Sequence, residues 1–293
     1  MPAESIYVSI IIAVKNHGID LYTTMESLKV SQAVLSYEVI IVDEGSVDGC
    51  CDFLMNYRFD HPVKRIKGEP GVSARHLGAA HACGKYLIFC GSHLYYEDHW
   101  MERLLAPVIS GQSDSVSPLF VRSEHSQHIP QQEIKGLLGR IRRYPAPQGE
   151  RGEIPWLSWE CFAISRDKYH ELGGLEEDFF GKEMETAEFS LRTWLLGGSC
   201  CLVPEVTLVQ VLRKNFPYDD SLEKWGRDLL TLAYLHFGSS LISACETLVQ
   251  EVPSAWASEI HELKERTRTH RENYSDRRIY DDAWFYERFG IEA

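Results

Sequence analysis

The residues of this chain best suited to chemistry lie where apolar runs stop. Tyr86, Leu87, Ile88 and Phe89 form one such run, and it closes in Gly91-Ser92-His93. A polar turn at the carboxyl end of a buried parallel strand is where open α/β sheets hold ligands. His93 is a lone histidine, and one neutral imidazole does not hold a divalent cation without further ligands. A second run, Tyr37 to Val42, ends in Asp43-Glu44, where a carboxylate can accept a hydrogen bond from a ring N–H. Glu185 and Glu188 stand one helical step apart on a periodic segment. Either would serve as a base for a hydroxyl proton if it came within hydrogen-bond reach.

These residues need elements to carry them, and the pattern supplies a regular alternation. Val8 to Val14 reads as a strand, Leu21 to Ser31 as a helix, and Tyr37 to Asp43 as a strand followed by a turn with Gly45. Asp48 to Tyr57 reads as a helix, Val63 to Lys67 as a strand, Val72 to Cys83 as a small-residue helix, and Tyr86 to Phe89 as a strand. Such alternation predicts a mostly parallel sheet with helices on both faces, an α/β fold. Glu97 to Ser110 is amphipathic, and Ser115 to Arg122 has strand character. The polar stretch Ser123 to Gly152, with Arg140 to Tyr144 inside it, reads as a loop or short helix. Trp156 to Ile164 resumes strand character, Glu185 to Leu196 is a helix, and Cys200 to Val203 is a strand ending at Pro204. From Asp219 onward the pattern is helical. Ser221 can cap a helix carrying Trp225, Leu229, Leu232 and Leu235, and Ser254 to Asn273 forms another. The aromatic tail Arg277 to Phe289 is expected to dock rather than dangle. The expected division is residues 1–218 (halves 1–115 and 116–218) with a helical region over 219–293.

Composition narrows the function classes. The chain has 293 residues, enough for one good core with a smaller attachment. Its net charge of -13 argues against a general nucleic-acid binder, although a local pair of basic residues can still hold a diphosphate. No apolar run approaches the length of a membrane span, and the first ten residues lack the pattern of a signal peptide. Eight cysteines without a CxxC motif read as reduced, buried thiols, which makes a cytoplasmic location the expectation.

The ordered blocks VSIIIAVKN, VIIVDEGSVDG and GVSARHLGAAHACGKYLIFCGSH resemble the nucleotide-binding half of GT-A glycosyltransferases. More closely they are similar to family-2 transferases and the polypeptide N-acetylgalactosaminyltransferases. The segment from Gly174 to Tyr218 resembles the acceptor side of the latter, keeping Glu185, Glu188, Ser190, Arg192, Trp194, Pro204, Arg213, Lys214, Pro217 and Tyr218. The resemblance implies a GT-A, Rossmann-like sheet with a C-terminal helical extension and a UDP-sugar donor. It places the donor on Ala13, Val14, Lys15, Asp43, Glu44, Arg75, Gly91, Ser92, Arg213 and Tyr218, with Asp43-Glu44 at uracil. An arginine fork such as Arg213 suits phosphate oxygens. Trp156 or Trp159 would stack on an acceptor sugar or peptide side chain, or pack as ordinary aromatics.

Three departures from the pattern stand out. The family's first metal-ligating aspartate is Gly91, and the histidine closing its metal site falls on Gln210, so only His93 survives to meet Mn2+ or Mg2+. Where inverting members carry a Glu-Asp pair, this chain has Glu185-Thr186. Retention is therefore the leaning, with Glu185 as base in the inverting alternative. Two functions stay open: a sugar-nucleotide-dependent transferase with altered or absent metal dependence, and a catalytically inactive relative that binds a nucleotide-sugar or a partner protein. The acceptor, whether peptide, saccharide or small molecule, is not specified. Trp256, Trp284, Phe285 and Phe289 are expected to cover the core, with homodimer contacts as their next use.

Overall fold

Val8–Val14 forms β1, and every residue in it is buried. It pairs in parallel with β2 (Tyr37–Asp43) on one side and β4 (Tyr86–Cys90) on the other, while β2 pairs in parallel with β3 (Val63–Lys67). The computed structural model describes residues 6–122, 152–211, 221–250 and 257–291. Helix α1 (Ile19–Val30) links β1 to β2, and α2 (Ala74–Ala80) links β3 to β4. Ser73 caps α2 by accepting from the His76 amide at 3.2 Å. The helix expected over Asp48 to Tyr57 shrinks to a 3-10 segment, Asp52–Asn56. Gly49 takes a left-handed φ of 76°, and the Asp48 carboxylate turns back to accept from the Cys50 and Gly18 amides, so helix cannot start there.

The second half adds antiparallel members. β5 (Leu94–Tyr95) and α3 (Trp100–Ile109) precede β6 (Ser115–Arg122); β7 (Cys161–Ser165), α4 (Arg166–Glu171), α5 (Lys182–Leu195) and β8 (Cys200–Gln210) follow. The single sheet has the order β3-β2-β1-β4-β7-β6-β8-β5. β7 runs antiparallel to both β4 and β6, whereas β8 is parallel to β6. Two expectations need correction here. β8 does not end at Pro204: the register with β6 jumps from Val203 to Thr207, so the proline sits in a bulge and pairing resumes beyond it. Trp156 to Glu160 lie outside β7, because the Leu157 and Ser158 amides donate to the hydroxyls of Ser190 and Ser117 instead of a neighbouring strand.

Alternate residues of the strands feed two cores. Ile10, Ile12, Val39, Ile41 and Ile88 pack with α1 and α3. Ile11, Ala13, Ile40, Val42, Leu87 and Phe89 pack on the other face with α5 and with the C-terminal helices α6 (Leu222–His236), α7 (Ser239–Gln250) and α9 (Asp282–Phe289). α8 (Ala257–Arg277) closes over α6, and its Arg271 donates to the carbonyls of Tyr234 and Phe237 at 2.7 and 2.9 Å, meeting acceptors that the end of α6 leaves unpaired. The tail is docked as expected: Phe285 and Phe289 are buried. Trp256 lies outside the described residues. Among those residues no helix is long and apolar enough to cross a membrane.

Helix α5 runs between the sheet and the C-terminal helices, so every residue from Met184 to Leu195 is buried, polar ones included. Arg192 donates to Glu188 at 2.8 Å and to the Leu172 and Gly174 carbonyls at 2.6 Å, and His236 pairs with the same glutamate at 2.7 Å. Burial alone would raise the Glu188 pKa, yet Arg192 and His236 hold it below the usual carboxylate value. Burial lowers the His236 pKa even against the pull of Glu188. Both groups have folded pKa values below the unfolded ones, so their contribution is present at neutral pH and is lost as pH falls through them. Glu188→Ala leaves Arg192 buried without its carboxylate. The expected cost is about 3–5 kcal/mol, read as a lowered midpoint in urea unfolding at pH 7.

Candidate active site

The strand order fixes where a ligand would enter. From β1 the chain steps to β2 and β3 on one side, then crosses to β4 on the other, so the crevice at the carboxyl ends of β1 and β4 is the topological switch point. A cleft opens there, lined by Ala13, His17, Arg75, Cys90, Gly91, His93, Trp159 and Lys182.

Beside it, the turns after β1 and β2 are latched together. The Asn16 amide donates to Ser46 Oγ at 3.0 Å, Val47 to Asn16 Oδ1 at 2.8 Å, and Gly18 to Asp48 Oδ2 at 2.7 Å. Asn16 holds a left-handed φ of 53° to make this contact. Val14 is buried in β1, and its carbonyl accepts from the Glu44 amide at 2.9 Å, while Lys15 is half-buried at the start of the latch. Asp43 accepts from the Ser46 amide at 2.8 Å and from Arg65 at 2.6 Å. Burial opposes its charge, but these donors keep its pKa below the ordinary aspartate value.

On the far side stand the groups of α2 and α5. Arg75 is buried, and its Nε donates to Glu185 Oε2 at 2.8 Å. Its Nη2 donates to the same oxygen, to Thr186 Oγ1 at 2.8 Å and to the Lys182 carbonyl at 2.7 Å, and Nη1 reaches the Trp159 carbonyl at 3.3 Å. Ser73 occupies the other oxygen of Glu185. Arg75 therefore braces α2 against α5, and the Glu185 carboxylate is the brace's other half. Asp228 of α6 accepts from the Phe180 and Gly181 amides at 3.0 and 2.8 Å, fixing the residues just before Lys182.

The β4 turn is rebuilt around Glu160. Because β7 is antiparallel to β4, Glu160 stands beside Gly91, whose amide donates to the Glu160 carbonyl at 2.8 Å. The Glu160 carboxylate lies 3.1 Å from His93 Nε2 and accepts from Gln210 Nε2. Burial works against a charged His93, but the Glu160 carboxylate outweighs it and lifts the pKa above the usual histidine value. Ser92 is buried against His17 Nδ1.

The sequence-derived candidates therefore separate. Ala13, Arg75, Gly91, His93 and Trp159 line the cleft, and Glu185 lies behind Arg75. Glu188 does not join them: it belongs to the buried Arg192–His236 cluster on another side of α5. Trp156 is 3% exposed and packs 5.0 Å from the Phe285 ring, so it is core and not an acceptor platform. Arg213 and Tyr218 lie outside the described residues. Lys182, Glu160 and His17 were missed, since no motif marks them.

A model of glycosyl transferase family 2 matches residues 9–173. The chain belongs to this family. Polypeptide N-acetylgalactosaminyltransferase 11 of Xenopus tropicalis is 27% identical over 242 residues, covering 74% of this chain and 40% of the relative. The chain thus spans less than half the length of that relative. Among solved structures, GalNAc-T7 with UDP, GalNAc and Mn2+ aligns over 98% of this chain and 57% of its own, with a TM-score of 0.69 at 19% identity. S. aureus TarS 1-349 in complex with UDP-GlcNAc aligns over 91% of this chain and 73% of its own, with a TM-score of 0.59 at 12% identity. The fold is GT-A.

Among the described residues, this family-2 chain presents no cradle for Mn2+ or Mg2+. A Cβ on Gly91 would lie 2.6 Å from Glu160 Oε2, so an aspartate there collides with the carboxylate already in place. The His93 nitrogen that faces the site meets Glu160 and Gln210, and among the described residues no cluster of three His, Cys, Asp or Glu side chains could hold a metal ion. Gly91→Asp should destabilise the fold by about 1–3 kcal/mol through overpacking. Pairing it with Glu160→Ala should recover most of that loss in thermal melts.

Asp228 gives a pH signature. Burial pushes its pKa up to about 7 despite the two amide donors. Its folded pKa exceeds the unfolded one, so its contribution to stability is full in acid and is lost as pH rises through about 7. The difference in Tm between Asp228→Asn and wild type should move in the variant's favour from pH 5 to pH 8. A constant difference would show that Asp228 does not titrate there.

Proposed function

We propose that this family-2 chain is a glycosyltransferase that takes a UDP-sugar as donor and passes the sugar to a hydroxyl of an acceptor. The observation that carries the reading is the cleft at the switch point, lined by Lys182, whose ammonium also reaches Glu44 of the latched acidic strand end Asp43-Glu44. A nucleobase needs hydrogen-bonding groups at a strand end, and a diphosphate needs cationic and N–H donors at the next one. The UDP and UDP-GlcNAc held by the similarly folded GalNAc-T7 and TarS support the same donor class.

In the transfer, the bond from the sugar's anomeric carbon to the diphosphate oxygen breaks as the acceptor oxygen bonds that carbon. The departing diphosphate gains charge, and fixed cations and dipoles at that spot lower the barrier. An inverting reaction also needs a base for the acceptor proton. Both oxygens of Glu185 already accept from Ser73 and Arg75, and Glu188 is in the core, which supports a course that calls on neither as base, the acceptor proton passing to the departing diphosphate oxygen. Trp159 is the aromatic at the cleft wall and the better acceptor contact of the two tryptophans. The lack of a Mn2+ cradle among the described residues supports transfer without a metal.

Calorimetry with UDP, CDP and GDP, followed by a UDP-sugar panel read by mass spectrometry, tests this. The expected result is binding of UDP above the other two and loss of at least one UDP-sugar in EDTA. Binding without turnover across the panel would instead identify a nucleotide-binding relative that has lost catalysis, and full loss of activity in EDTA would refute metal independence.

A further inference from the structure

Among the described residues, four side chains able to carry positive charge face the cleft: Arg75, Lys182, His17 and His93. Two of them, Arg75 and His93, are paired with buried carboxylates that an incoming anion would have to displace. Arg75 is buried in a bidentate pair with Glu185 and also donates to Thr186 and two carbonyls. His93 stands against the buried Glu160 carboxylate at 3.1 Å, and His17 is tied to Ser92.

Lys182 faces partners of another kind. Its ammonium donates to a neutral backbone carbonyl, Ala13 O, at 3.1 Å, and stands 3.4 Å from a Glu44 carboxylate whose side chain is 26% exposed. Its backbone, by contrast, is fixed from two sides: Arg75 donates to its carbonyl at 2.7 Å, and Asp228 accepts from the two amides before it. The result is an ammonium on a fixed post at the end of β1, in a cleft that Gly91 also lines. Burial lowers its pKa, with Glu44 opposing, so the ammonium sits where a further negative partner favours it.

We propose that Lys182 and the glycine-opened turn of β4 form an anion site for the donor's diphosphate, with the lysine ammonium taking the place of a divalent cation. Gly91 leaves the turn without a carboxylate of its own, and the Glu160 carboxylate beside it is paired with His93 and hydrogen-bonded by Gln210. A phosphate oxygen displaces the Ala13 carbonyl on the ammonium, exchanging a neutral acceptor for an anionic one, which binds an ammonium more strongly. The inference rests on the UDP-sugar reading above and adds which side chain meets the phosphates.

The test is calorimetry of uridine and UDP on wild type, Lys182→Met and Lys182→Arg, each in EDTA and in Mn2+, with circular dichroism confirming that the variants are folded. Wild type should bind UDP equally in both buffers. Lys182→Met should lose about tenfold or more in UDP affinity, a single charge-assisted contact, while its uridine affinity stays within about twofold. Lys182→Arg, which keeps the charge, should hold on to part of the preference of UDP over uridine. UDP binding that needs Mn2+, or Lys182→Met binding UDP like wild type, overturns the lysine assignment and leaves the donor reading standing. Failure of wild type to bind either uridine or UDP overturns the donor reading, and the anion site falls with it.

Discussion

Everything around the cleft depends on α5 being buried along its length. A helix packed on one side only could turn its polar residues to water, but α5 has the sheet on one side and α6 and α9 on the other. Each charged or hydroxyl side chain on it must then find a partner inside the protein. Glu185 finds Arg75, Arg192 finds Glu188 and two loop carbonyls, and the Ser190 hydroxyl donates to the Thr186 carbonyl. The pairs do more than satisfy desolvated groups. They fasten α2, the loop after α4 and the C-terminal helices to one rod, whose first turn delivers Lys182 to the ligand crevice.

That constraint explains which candidate residues were readable. Strand ends are legible because an apolar run stops at a definite residue, so Asp43 and Gly91 could be placed at the edge of the sheet from their neighbours alone. The partnership of Arg75 with Glu185 was not legible, since it joins residues over a hundred positions apart across two helix starts. Lys182 escaped notice for a local reason: the apolar pattern suggested a helix from Glu185, whereas α5 begins at Lys182 behind a glycine and two amides anchored by Asp228. Glu160 could not be found without the antiparallel register of β7 against β4, and a sequence of alternating strands and helices suggests parallel neighbours.

Gly91 and Glu160 also alter what a missing ligand means. Taken singly, a glycine in place of an aspartate reads as loss. In the folded chain the space beside that glycine is filled by a carboxylate from the adjacent strand, itself satisfied by His93 and Gln210. Gly91, His93, Glu160 and Gln210, from three strands and their turns, fit together as one pocket floor. A buried carboxylate needs such partners, so altering any one of the four disturbs the others.

The C-terminal helices carry a consequence for how the molecule assembles. Leu229, Phe237, Phe285 and Phe289 complete the same apolar cluster as Ile11, Ile40 and Phe89 of the early strands. During synthesis the first strands can pair with one another and take cover from α1 and α3 while the rest of the chain is still to come. Their other face takes partial cover from α2 and then from α5, and is completed only when α6 and α9 emerge. Closing that face is a late, long-range event of the slow kind, and an unfinished chain would show it to chaperones rather than to substrate.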